Sequence, residues 1–162
     1  MKTGNNVSNS GEKSTKDPVN YNLPRDYIFV DQPWGKLFYK VHGERNYLDA
    51  KAQCESDGAH LATPKSESEN DFLADLVANL NPRPFWIGVN DIDQEGEFIS
   101  IDGDAVSFTK WHNGEPNNSD NEDGIVMNWH NWLPDKKGFW NDYAITNRVQ
   151  FVCFYRINGK RT

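Results

Sequence analysis

The stretch "WHNGEPNNSDNEDG", residues 111–124, places Glu115, Asn117, Asn118, Asp120, Asn121, Glu122 and Asp123 within nine positions. A proline stands among them and no apolar residue does. Side-chain oxygens at that density suit a hard divalent cation, because Ca²⁺ takes roughly six to eight oxygen ligands in flexible geometry. Carboxamides help there, since they add ligands without adding charge repulsion. A solvated acidic loop has the same composition, so the reading turns on what flanks the stretch.

Two flanking patterns bear on it. "DIDQEG", Asp91 to Gly96, has the register of an EF-hand loop with Asp102 in its final place. That reading fails, because an EF-hand needs a helix on each side. Here "FWIGV" precedes and "EFISI" follows, and both read as strands. The second pattern is "WND", Trp140–Asp142, where an adjacent Asn-Asp pair presents two side-chain oxygens at one point. After a Glu-Pro-Asn loop it reads as the second half of a cation cage.

Residues 1–25 are rich in Asn, Ser, Lys and Gly and poor in apolar side chains, which predicts a flexible arm. The folded domain is expected over 26–156, with 157–162 as a tail. "YIFV" and "KLFYKV" predict strands on either side of a Pro-Trp-Gly turn. A helix is predicted from the N-cap Asn46 to Gly58, burying Tyr47, Ala50 and Cys54. A second is predicted from Ser66, with Glu69 completing a capping box. Its apolar face reads Phe72, Leu73, Leu76, Val77 and Leu80, and Asn81-Pro82 ends it. "RVQFVCFY" closes the domain as a strand. Residues 102–147 read mostly as loop, and four tryptophans (Trp111, Trp129, Trp132, Trp140) predict that this loop is ordered and functional.

A chain of 162 residues can bury a single core. The formal charge of −7 argues against a nucleic-acid backbone or an anionic membrane as partner. No apolar run approaches the length of a membrane span, and the first residues carry no apolar stretch of the signal-peptide kind. Cys54 and Cys153 have no Cys/His cluster around them, which excludes a zinc site of the usual kind. Two buried thiols and one long-range disulfide both fit their spacing.

The order "AKAQCESDGAHLATPKS", "WIGVNDIDQEGEF", "WHNGEPNN", "NEDG", "WND", "FVC" resembles the carbohydrate-recognition domain of the C-type lectins, over roughly residues 26–156. The resemblance implies an α+β domain, with two helices packed on small antiparallel sheets and a long structured Ca²⁺-binding loop region. It implies that Cys54 pairs with Cys153. It implies a principal Ca²⁺ site of Glu115, Asn117, Glu122, Asn141 and Asp142, which would also bind the sugar. Asp91, Glu95, Asn118, Glu122 and Asp123 match the family's auxiliary Ca²⁺ site, with Asn118 where an Asp is common. The family's usual second disulfide would start at the position of Gly124, and both of its cysteines are missing here. In its place the chain carries "MNWHNWLPDKKGF", whose Trp129 and Trp132 are expected to supply packing.

In this family Glu-Pro-Asn accompanies sugars with equatorial 3- and 4-hydroxyls, so Glu115 and Asn117 imply mannose, glucose, N-acetylglucosamine and fucose rather than galactose. The resemblance also implies a cis Glu115–Pro116 bond, a secreted protein of the invertebrate immune type, recognition of microbial glycans, agglutination and oligomers for avidity. A glycosidase is the rival from another class, since paired carboxylates serve those enzymes. On the resemblance the carboxylates would be committed as metal ligands, and His42, His60, His112 and His130 are scattered through ordinary polar contexts. No enzyme is expected. A domain of the same fold that binds protein or a surface without sugar is the remaining alternative.

Overall fold

The structure is a computed structural model that describes residues 22–119, 121–129 and 134–157. Most of the expected arm, the tail beyond Ile157, Asp120, His130 and Trp132 lie outside the described residues. Strands β1 (Ile28–Gln32) and β2 (Gly35–Arg45) form the first hairpin, joined by Pro33 and Trp34 with Gln32 opposite Gly35. Leu23, inside the stretch expected to be arm, already packs against the core.

Helix α1 (Tyr47–Ser56) starts where Asn46 Oδ1 accepts the Asp49 N–H at 2.9 Å, and it buries Tyr47, Ala50 and Cys54. It stops at Asp57, and Gly58 follows with φ +79°, a left-handed conformation that costs glycine little. After β3 (His60–Leu61), helix α2 (Glu67–Leu80) opens on Ser66, whose Oγ accepts the Glu69 N–H at 3.2 Å. The capping box is not reciprocal. Glu69 reaches past Ser66 to the Lys65 N–H at 2.8 Å, and its two oxygens take a forked pair of bonds from Arg156 at 2.9 and 2.7 Å. A charged bidentate partner outcompetes one more backbone donor. The buried face of α2 is Glu69, Asn70, Leu73, Ala74 and Val77. Leu80 instead lies in the last turn, beyond the packing surface, and is 63% exposed.

The remaining strands are β4 (Phe85–Asn90), β5 (Ile99–Ser100), β6 (Gly124–Met127), β7 (Trp140–Tyr143) and β8 (Val149–Arg156). They form one eight-stranded sheet in the order β1-β2-β8-β4-β6-β7, with β3 on β8 and β5 on β4. Every pairing is antiparallel except β4 with β8, where Phe85 lies opposite Gln150 and Trp86 opposite Phe151. The two antiparallel groups are thus joined side by side into a mixed sheet rather than standing as separate small sheets. Gln150 Nε2 reinforces the junction by donating to the Asn81 and Arg83 carbonyls. β6 and β7 both lie inside the stretch that reads as loop.

A disulfide joins Cys54 of α1 to Cys153 of β8, with Cα atoms 5.4 Å apart and both residues fully buried. One core cluster packs Leu73 and Val77 of α2 against Ile87, Ile125, Trp140 and Val152. The other gathers Tyr47, Cys54, Trp86, Val126 and Phe151, with the Trp86 indole donating to the Arg45 carbonyl. Gly124 fits against this second cluster. A Cβ there would lie 2.8 Å from the Trp86 ring and 3.2 Å from both Ile145 and Tyr47. Trp129 packs on the same cluster, with its ring 4.8 Å from that of Tyr143.

Candidate functional site

Three strands deliver the site's residues. β4 runs directly into Asp91, whose N–H donates to the Asp123 carbonyl at 3.1 Å. β6 follows directly on Glu122 and Asp123, and β7 carries Asn141 and Asp142 within it. The 111–119 loop is fastened to β7 from above. The His112 N–H donates to the Trp140 carbonyl at 2.8 Å, and the Glu115 N–H donates to the His112 carbonyl at 2.9 Å. The Glu115–Pro116 bond is cis, and the next two amides then point at one carboxylate. Asn117 N–H donates to Asp142 Oδ1 at 3.1 Å and Asn118 N–H to Asp142 Oδ2 at 2.6 Å. Asn118 sits at φ +50°, a left-handed conformation that asparagine tolerates better than most residues.

Glu115, Glu122 and Asp142 converge, each offering a carboxylate oxygen within 4.8 Å of the others. Asp91, Glu95 and Asp123 form a second such trio. Of the residues expected in the auxiliary set, Glu122 therefore lies in the first trio. The Asn118 backbone N–H donates to Asp142 Oδ2 at 2.6 Å. Asn117 is close to Glu115, donating its Nδ2 to Glu115 Oε1 at 3.0 Å. Asn141 is 7% exposed.

The electrostatics of both trios are unfavourable as they stand. Burial, reinforced by Asp142 and Glu122, pushes the Glu115 carboxyl up to about 7. Burial is also the first cause that raises Asp91 and Glu95, with the neighbouring carboxylates adding to it. Glu115 Oε2, Asn141 Oδ1 and Asp91 Oδ1 are buried without a hydrogen-bond partner. Buried oxygens left in that state cost free energy, and like charges at this range add repulsion. A divalent cation on these oxygens removes both penalties, so the donor set fits an oxygen-ligated ion such as Ca²⁺. A third group of similar spacing, His42, Asp57 and Cys153, does not compare, because the Cys153 sulfur is used in the disulfide. A groove of about 400 Å³ lined by His60, Lys65, Asp102 and Arg156 contains none of the clustered carboxylates.

Residues 43–155 match the family model of the lectin C-type domain. The chain belongs to the C-type lectin family. Relatives include collectin-11 of Bos taurus, 35% identical over 120 residues that cover 73% of this chain and 42% of that protein. They also include lectin BRA-3 of Megabalanus rosa, 37% identical over 127 residues that cover 77% of this chain and 74% of the other. The chain thus spans about two fifths of the length of its collectin relatives. Among solved structures, the carbohydrate-recognition domain of cow CD23, determined in the presence of a GlcNAc2Man3 oligosaccharide, superposes with a TM-score of 0.69 at 28% identity. That match covers 85% of this chain and 98% of the other. Herring type II antifreeze protein has the same fold (TM-score 0.68, 23% identity, 84% and 100% covered), so the fold by itself does not select a ligand. The family is one of binding domains rather than enzymes. Among the described residues no helix is long and apolar enough to cross a membrane.

Two buried residues bonded to the approach to β7 are not legible in the sequence. Asn70 and Asn128 are fully buried carboxamides bonded to the segment that leads into β7. An asparagine within a helix or a polar loop reads as solvent-facing, and only the topology brings these two together.

Proposed function

We propose that the domain is a Ca²⁺-dependent lectin for mannose-class sugars. The observation that carries this is the convergence of Glu115, Glu122 and Asp142 beside the Glu-Pro-Asn turn and the buried Asn141. Glu115, Asn117, Glu122, Asn141 and Asp142 hold the principal ion. Asp91, Glu95 and Asp123 hold an auxiliary one, which the family pattern would complete with Asn118 and Glu122.

Bound at the principal site, Ca²⁺ supplies open coordination positions to two vicinal hydroxyls of a sugar. The chain's own groups then orient that diol. Carboxylate oxygens of Glu115 and Glu122 accept from hydroxyl protons, and the carboxamide N–H groups of Asn117 and Asn141 donate to hydroxyl lone pairs. Asp142 holds the loop in place through the Asn117 and Asn118 amides. An acceptor at 115 and a donor at 117 select equatorial 3- and 4-hydroxyls, as in mannose, glucose, N-acetylglucosamine and, through an equivalent pair, fucose.

The long-range disulfide supports an oxidising, extracellular setting, and we read the protein as secreted. In that setting its partners are microbial glycans, with no nucleic acid or membrane among them, and its role is innate recognition and agglutination. Two hydroxyls on an ion bury little area, so useful avidity requires several domains together. The test is competition against immobilised mannan by mannose, fucose and galactose, with Ca²⁺ and with EDTA. Binding that needs Ca²⁺ and yields to mannose before galactose is the expected outcome. Binding that survives EDTA, or that galactose displaces best, refutes the reading.

A further inference from the structure

The strand that carries Asn141 and Asp142 is held by a side chain outside the site. Asn70, in the first turns of α2, uses both ends of its carboxamide. Its Oδ1 accepts from Trp140 Nε1 at 2.8 Å, and its Nδ2 donates to the Gly138 carbonyl at 2.9 Å. Asn128 continues the chain of bonds, accepting the Gly138 N–H at 2.8 Å and donating to the Ala74 carbonyl at 3.1 Å. Gly138 sits at φ +88°, and a Cβ there would lie 3.0 Å from Asn70 Nδ2, so the approach needs a glycine.

Trp140 is where the two halves of the site meet. Its N–H donates to the Lys110 carbonyl at 2.7 Å, and its carbonyl takes the His112 N–H, one step before the bond that fixes the Glu115 amide. On its other side it pairs with Met127 of β6. Any displacement of Trp140 is therefore passed to Glu115 through the loop and to Asn141 and Asp142 through the strand. Apolar packing against Phe108 and Trp111 holds the indole without direction. The bond to Asn70 is what fixes its height against α2. A carboxamide in a dry core is costly unless its polar atoms are bonded, and here both are.

We propose that Asn70 is a positioning residue for the cation site: by anchoring the Trp140 indole it sets the spacing between Glu115 and the Asn141–Asp142 pair. The claim rests on the Ca²⁺ reading of that site.

The test uses Asn70→Ala and Trp140→Phe, which remove the same hydrogen bond from opposite sides. Val77→Ala serves as the control, because it hollows the core under α2 without touching the bond. Two quantities are read while each protein is folded. One is the backbone amide resonances of Asn117 and Asn118 in EDTA, which report the Asp142 carboxylate. The other is Ca²⁺ affinity by calorimetry. Asn70→Ala and Trp140→Phe are expected to shift both amides and to weaken Ca²⁺ binding by about fivefold or more. The double variant should be no weaker than the worse single one. Val77→Ala should lose stability yet keep wild-type amides and affinity. Wild-type amides and affinity in Asn70→Ala or Trp140→Phe overturn the proposal. So does failure of both variants to fold while Val77→Ala folds, which makes Asn70 a structural residue only. A wild type that binds no Ca²⁺ refutes the reading of the site, and the metal-free amide shifts still decide the role of Asn70.

Discussion

Adding one methyl group at Gly124 tests the packing beneath the site. In Gly124→Ala the new Cβ would lie 2.8 Å from Trp86 Cζ3, 3.2 Å from Ile145 Cγ2 and 3.2 Å from Tyr47 Cδ2. Carbon atoms in contact sit about 3.5–4.0 Å apart, so the ring or the strand must yield by roughly 0.7 Å. Neither yields freely. Trp86 is fully buried, edge-on to Tyr47, and tied by its indole to the Arg45 carbonyl at 2.9 Å. Overpacking of this kind costs about 1–3 kcal/mol. Alanine returns about 0.4–1 kcal/mol by restricting the unfolded chain, because Gly124 is not in a left-handed conformation. With three contacts violated at once, the net loss should be about 1–2 kcal/mol. At ~2–4 °C per kcal/mol for a chain of this size, the melting temperature falls by about 2–8 °C. Urea unfolding in EDTA measures this without interference from metal. A variant as stable as the wild type would show that β6 does not press on Trp86 as described. The volume that a side chain would need at Gly124 is already taken by Trp86, Ile145 and Tyr47.

Saturating Ca²⁺ at about a hundred times Kd should raise stability by ~2.7 kcal/mol, and Asp142→Asn should lose most of that gain in matched thermal melts. The double change Glu115→Gln with Asn117→Asp swaps the acceptor and the donor across Pro116, placing a donor at 115 and an acceptor at 117. It should shift preference from mannose to galactose by about ten- to a hundredfold, read by competition on immobilised mannan. His42 is held below the ordinary histidine range, first by burial and then by Lys40, against the opposing pull of Asp57 and Asp26. Its folded value lies below its unfolded one, so its contribution is intact above about pH 6.5 and is lost as the pH falls further. The urea midpoint of the wild type should therefore drop more between pH 7.5 and about 5.5 than that of His42→Gln, a comparison in which the carboxylates distant from His42 cancel.

What was legible in the chain is what depends on neighbours in sequence. Asn46 and Ser66 cap the two helices as their residue types require, and Tyr47, Ala50 and Cys54 fall on one face by helical spacing. Glu115 and Glu122 share one oxygen-rich loop, which marks them together in the sequence. The parts that escaped are settled by distant partners. Glu69 leaves its capping role because Arg156, on the last strand, offers a charged fork. β4 lies parallel to β8 through Phe85 and Trp86, a non-local pairing that no periodicity announces. β6 and β7 hide in a polar stretch because one is only "GIVM" and the other carries the polar Asn141–Asp142 pair. Leu80 fits the apolar stripe by spacing, yet the surface it would cover ends one turn earlier.

The site's geometry is in this sense a property of sheet register rather than of loop stiffness. Asn90 stands opposite Gly124, Gly124 opposite Tyr143 and Ile125 opposite Asp142, so three strand ends are brought level by backbone pairing. Side chains alternate along a strand, and a slip of one residue would turn Asp142 away from Glu115 and replace it with a neighbour. The loop is added to this frame by the Asn117 and Asn118 amides, which donate to Asp142. The pairing of β6 with β7 fixes the strands, and the Asp142 carboxylate fixes the loop to them. On the proposed reading, the ion's task is then local: to relieve the repulsion among carboxylates that the register has forced together.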